Sequence, residues 1–118
     1  MIAGSISIKG QLPPLLKQVL ATSNILERSR GLLFRSPLLI DGGLLIMNCN
    51  SIHTVLMAYP IDVIYLTKDM RITKLVKHIK PYRTSIDLSA RHVLEVMQGS
   101  IDRLELRVGD QLDWIKRC

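Results

Sequence analysis

The chain has 118 residues, 47% hydrophobic and 22% charged, a balance that fits one folded domain over residues 1–118 and excludes a disordered chain. Its net charge of +6 and its pI near 9.7 favour acidic partners. With aromatics at only 4%, the stacking platforms of single-stranded nucleic-acid binders are not expected, and a nucleic-acid role is disfavoured.

Two cysteines, Cys49 and Cys118, do not make a disulfide framework. The N-terminal residues lack the charged and apolar regions of a signal peptide. The longest apolar stretches, 32–40 and 44–47, are too short to span a bilayer. A reduced, cytoplasmic protein is expected.

Along the chain, Ile6-Ser7-Ile8 alternates like a short strand, and Pro13-Pro14 ends it. Asn24 and Glu27 have capping-box spacing and Gly31 follows Arg30, which predicts a helix over 24–30. Asp41-Gly42-Gly43 is a turn signal, and Leu44–Met47 reads as a buried strand. A polar loop, Asn48–Ser51, follows.

Residues 61–67 read as a strand with Ile61, Val63 and Tyr65 on one face and Asp62, Ile64 and Leu66 on the other. Lys68–Arg71 turns the chain. Ile72, Leu75, Val76 and Ile79 then have helical spacing, although a segment after a strand and a tight turn also suits a hairpin. Ala90, Val93, Leu94 and Met97 predict a second helix, with Ser89 at its start and Gly99 past its end. Leu104–Val108 alternates like a strand, and Gly109-Asp110 turns into a last strand over 111–115. The expected fold is mainly β (α+β): a small compact barrel-like sheet of five to seven short strands with two short helices.

Several short pieces occur in a recognisable order. They are Glu27–Arg35, Gly43–Ile46, Ser51-Ile52-His53-Thr54 with Met57, Pro60–Tyr65, Ala90–Val96 with Gly99, and Val108-Gly109-Asp110. In this order, over about 27–115, the chain resembles the domain-of-unknown-function 192 family, and in particular a short subgroup with a Cys before an Ile-His-Thr motif. Leu33 stands where the family usually has Met, and Val55-Leu56 where the subgroup often has Phe-Gly. The resemblance implies a compact β-barrel-like fold and a strand, not a helix, over 72–79. It implies no assigned activity. Some relatives are encoded beside pilus-assembly or secretion genes.

The candidate site residues are Arg35, Cys49, His53, Thr54, Met57 and Asp62. A carboxylate on an apolar strand face must be paired, and Arg35 and His53 are the partners expected for Asp62. Arg35 could grip an anion in bidentate fashion. An imidazole such as that of His53 can bind ligands, metals or protons, and Cys49 lies four residues before it, a spacing open to a thiol–imidazole pair. No further metal ligands stand at recognised spacing, and neither a metal nor a cofactor is expected. The basic residues Lys68, Arg71, Lys74, Lys77, Lys80 and Arg83 form a stripe only if their segment is helical; on a strand they diverge.

A non-enzymatic binding or accessory module for a small anionic ligand or a partner's chain end is the leading functional expectation. A small enzyme using His53 and Asp62 as acid–base groups, with Cys49 as nucleophile, is the alternative; a weak nucleic-acid binder through the basic surface is the third.

Overall fold

Nine strands and one turn of helix appear in the computed structural model, which describes residues 1–11, 13–22, 39–54 and 59–117. The helix expected over 24–30, and the side chains of Arg35, Met57 and Cys118, lie outside the described residues. The strands are β1 (Ile2–Ile8), β2 (Leu16–Ala21), β3 (Gly42–Ile46), β4 (Ser51–His53), β5 (Ile61–Leu66), β6 (Ile72–Ile79), β7 (Thr84–Ile86), β8 (His92–Met97) and β9 (Leu112–Lys116), with α1 (Ser100–Arg103) between the last two.

Seven strands form one curled sheet in the order β6-β5-β8-β3-β2-β1-β9. All its pairs are antiparallel except β2 with β3, which residues 22–41 connect. The two edge strands meet at one corner. Arg71 bridges to Gln111, Ile72 N–H donates to Asp110 O at 2.9 Å, and Leu112 N–H donates to Met70 O at 2.9 Å. The result is a half-barrel rather than a flat sheet. Its inner face packs Ile6, Leu45, Ile64, Leu94, Ile101 and Leu112 into one core that takes residues from strands throughout the sheet. The outer face carries a second cluster, with Leu44, Ile61, Val63, Tyr65 and Val93, and Ile52 of the separate β4–β7 ladder packs against it.

The strand over 72–79 is the one implied by the family resemblance, not the helix implied by the spacing of its apolar residues. Ile72 and Leu75 serve the inner core while Val76 and Ile79 serve the outer cluster. Apolar residues on both faces of a strand produced the helical spacing.

The helix expected over 90–97 is corrected for the same reason. This segment is β8, paired with β3 on one side and β5 on the other. A central strand covered on both faces has no polar alternation, so its apolar run imitates a helical period. Ser89 does not cap a helix; its N–H and Oγ donate to Asp87 Oδ1 at 3.0 and 2.7 Å. Gly99 does not end one either. Its φ of 89° starts α1.

The strand expected over 104–108 is a turn. Glu105 has φ 54°, and Leu106 N–H donates to Ile101 O at 3.0 Å. Leu106 is buried in the inner core and Leu104 packs against it, so a turn reproduces the alternation of a strand.

Gly4 is where β1 passes under the only tryptophan. A methyl group added there would overlap Ile115 O and lie 2.6 Å from the Trp114 ring. Gly4→Ala is therefore expected to destabilise the fold by about 1–3 kcal/mol, read as a lower urea midpoint followed by Trp114 emission. An unchanged midpoint would mean that β9 can shift freely at this point.

Candidate functional site

Asp62 is fully buried on the inner face of β5. Between Ile61↔Ile79 and Val63↔Val76, two residues of β6, Lys77 and His78, stand opposite this one residue. This is a β-bulge, and His78 takes φ 52° to make it. A bulge disrupts the ladder, and the carboxyl group supplies the acceptor: His78 N–H donates to Asp62 Oδ1 at 2.9 Å. On the other oxygen, Ile101 N–H at the start of α1 donates to Oδ2 at 2.9 Å. That N–H belongs to the first turn of a helix, where no intrahelical partner exists. Asp62 thus ties the edge strand to α1. The expected tie to His53 is not formed, because His53 belongs to the β4–β7 ladder on the outer side of the sheet.

Thr54 is also committed internally. Its N–H donates to Arg83 O at 2.8 Å, and its hydroxyl donates to Lys80 O at 2.6 Å while accepting from Arg83 N–H at 2.7 Å. Tyr82 N–H donates to Thr54 O at 3.0 Å. The group closes the loop between β6 and β7.

Cys49 and His53 flank two separate surface depressions, each of about 500 Å³, that share Ser51. The first is lined by Asn48, Cys49, Asn50, Ala90 and Arg91. Within it the Cys49 thiol donates to Ser51 O at 2.9 Å. The second is lined by His53, Lys74, Thr84, Ser85 and Ile86. A thiol–imidazole pair is not assembled by this arrangement. Among the described residues no three His, Cys, Asp or Glu side chains are placed to hold a metal ion.

The basic residues of the edge strand diverge, as a strand requires. Lys74 Nζ lies 5.7 Å from the centre of the Tyr65 ring and donates to Ile86 O at 3.0 Å, on the outer side. Lys77 pairs with Asp102 of α1 at 2.6 Å. The hydrogen bond and charge of Lys77 hold the exposed Asp102 carboxyl below its ordinary range. No stripe results, and lysines on an edge strand discourage further strand pairing.

Sequence reasoning missed the central polar group. Glu95 is 4% exposed in the middle of β8, between Leu44 and Val63 on the neighbouring strands, and its Oε2 has no hydrogen-bond partner. Burial pushes its carboxyl up to about 8. Tyr65, fully buried on the same face, also has an unpartnered hydroxyl. Its phenol is raised by burial; the Ser85 side chain opposes this, while Cys49, Asp87 and Glu95 add to it. Tyr59, which packs against the same cluster, is raised by burial and then by Glu95. The signal is present in Val93-Leu94-Glu95-Val96, a charge inside an apolar run, but a helical reading puts Glu95 off the apolar face.

His92, buried at the start of β8, accepts from Asn48 N–H at Nδ1 over 3.1 Å, which puts its proton on Nε2. Burial, and then Arg91, lowers its pKa. It fixes the left-handed turn at Asn48, φ 55°, next to the first depression.

The fold and this geometry define a class: a mainly β half-barrel with a small ladder packed on its outer face and a buried carboxyl group beneath that face. The chain belongs to the DUF192 family (uncharacterised ACR), whose model matches residues 8–114. It is 31% identical over 101 residues to a UPF0127 protein of Pyrococcus furiosus, covering 82% of this chain and 86% of that protein. To a UPF0127 protein of Pyrococcus horikoshii it is 29% identical, over 82% and 87% of the two chains. Two crystal structures share the fold at 21% identity. One is a protein of unknown function from Novosphingobium aromaticivorans, with TM-score 0.77 over 95% of this chain and 85% of that one. The other, from Sinorhizobium meliloti, is described as a candidate transcription regulator, with TM-score 0.78 over 95% and 91%.

Proposed function

We propose that this protein is a small non-enzymatic binding module that takes an anionic group, as a free small molecule or as the carboxyl end of a partner chain, in the depression lined by β4, β7 and Lys74 of β6. One observation carries the reading: His53 and Lys74 line the same depression with the hydroxyl-bearing Thr84 and Ser85, and among the described residues no carboxylate lines it. Cation and neutral donors without a competing acid suit a carboxylate or phosphate. A volume of about 500 Å³ is within the range of small-ligand sites. The net charge of +6 attracts the same class of ligand. An acid–base enzyme built on His53 and Asp62 is disfavoured, since the sheet separates the two side chains. Arg35 and Met57, outside the described residues, are not needed for this reading.

The test is an amide-resolved NMR titration with orthophosphate, with a short peptide ending in a free carboxylate, and with its amidated form. Saturable shifts are expected at Ser51–His53 and Thr84–Ile86, weakened by salt and lost in Lys74→Ala. A response to the carboxylate peptide and not to phosphate would identify a chain end. No saturable shift with any probe, or equal binding of the amidated peptide, would sink the proposal.

A further inference from the structure

Two buried oxygens on the outer face of the sheet, Glu95 Oε2 and the Tyr65 hydroxyl, have no partner. Their backbones are close. Tyr65 stands opposite Val93 across the β5–β8 pair, and Glu95 is two residues further along the same strand and on the same face. Such diagonal neighbours are about 7–8 Å apart, within reach of one small group that touches both side chains. The charged or titratable groups described around them are Tyr59, Cys49, Lys74 and Asp87, and none of these gives Glu95 a countercharge. Buried polar atoms in folded proteins are nearly always satisfied, so two orphans on one face call for an occupant.

An approach exists. Cys49 and Ala90 line the first depression and also belong to, or pack against, the apolar cluster that contains Tyr65. We propose that Glu95 and Tyr65 are the polar anchors of a binding site, entered beside Cys49 and Ala90, for a small uncharged ligand bearing an amide. An undissociated carboxyl both donates and accepts, and an amide offers the matching acceptor and donor. The phenol supplies a further hydrogen bond, and Leu44, Val63 and Val93 surround the apolar part of the ligand. A cation is disfavoured, because Arg91 stands at the entrance and Lys74 already lies over the Tyr65 ring. The site borders the anion-binding depression at Ser51, Lys74 and Ser85, and the probes tell the two readings apart: an uncharged amide here, phosphate or a carboxylate there.

The test uses the full chain with butyramide as probe, followed by the side-chain carboxyl carbon signal of Glu95 and the amides of Cys49, Tyr65 and Ala90. Saturable binding is expected, roughly tenfold weaker at pH 9 than at pH 7 as Glu95 ionises. Tyr65→Phe should weaken it roughly three- to tenfold. Glu95→Gln should abolish the pH dependence. Thermal melts of both volume-conserving variants check that they are folded. Three results would overturn the proposal: n-butylammonium bound in place of butyramide, an internal water at Glu95 that butyramide does not displace, or shifts confined to His53 and Lys74.

Discussion

At pH 8.5, Glu95→Gln is expected to be more stable than the wild-type protein by on the order of 3 kcal/mol, with the difference shrinking to about 1 kcal/mol or less at pH 5. The carboxyl sits on the central strand with no partner for Oε2 and titrates at about 8 in the folded chain, against an ordinary value of 4.5. Between these values the folded state holds one more proton than the unfolded state. Stability from this group is therefore greatest at low pH, falls as pH rises from about 4.5 to 8, and is flat above that. The glutamine side chain keeps the shape and removes the charge.

Other groups act outside the decisive window. His92, with its lowered folded pKa, costs stability as pH falls below about 6.5, because the unfolded chain takes the proton first. The lowered carboxyls of Asp87 and Asp102 lose their contribution only in acid. Tyr59 and Tyr65 act near pH 10 and above. From pH 6.5 to 8 the slope belongs to Glu95 among these shifted groups, and urea unfolding at several pH values measures it. A wild-type curve that is flat or rises over this window, or a Glu95→Gln curve with the same slope as wild type, would show that the carboxyl is ionised and paired.

The second large effect is expected at Asp62. Asp62→Ala should lose about 2–5 kcal/mol, since it leaves the N–H groups of His78 and Ile101 buried without an acceptor. Asp62→Asn, which retains one acceptor oxygen, should lose about 1–3 kcal/mol. Amide hydrogen exchange at His78 and Ile101 should accelerate in both variants before any other β6 or α1 amide does. The phosphate response at His53 should persist in Asp62→Asn. Full stability combined with a lost phosphate response would instead make Asp62 a ligand group.

These two carboxyls mark how far the site is legible in the sequence. Asp62 is visible as an acid on an apolar strand face, because the alternation around it is a local property. Its partners are not, since they are backbone N–H groups 16 and 39 residues away, created by a bulge and a one-turn helix. Glu95 is hidden because the apolar spacing of its segment imitates a helix. His53 and Cys49 stand out by residue type, and only the β4–β7 pairing shows that they line different depressions.

The amino-acid sequence by itself determined the mainly β class, the family, the strand at 61–66 and the turns at 68–71 and 109–110, because these rest on alternation, turn chemistry and short ordered motifs. The tertiary structure alone decided that 92–97 is a central strand. Burial on both faces erases the polar alternation that would announce it. Tertiary structure likewise decided that the edge strands meet at Arg71 and Gln111, that Asp62 closes the inside of the sheet, and that Glu95, with Oε2 unpartnered, lies beneath its outer face. Each depends on which distant strand becomes a neighbour, and local patterns of side chains do not encode that choice.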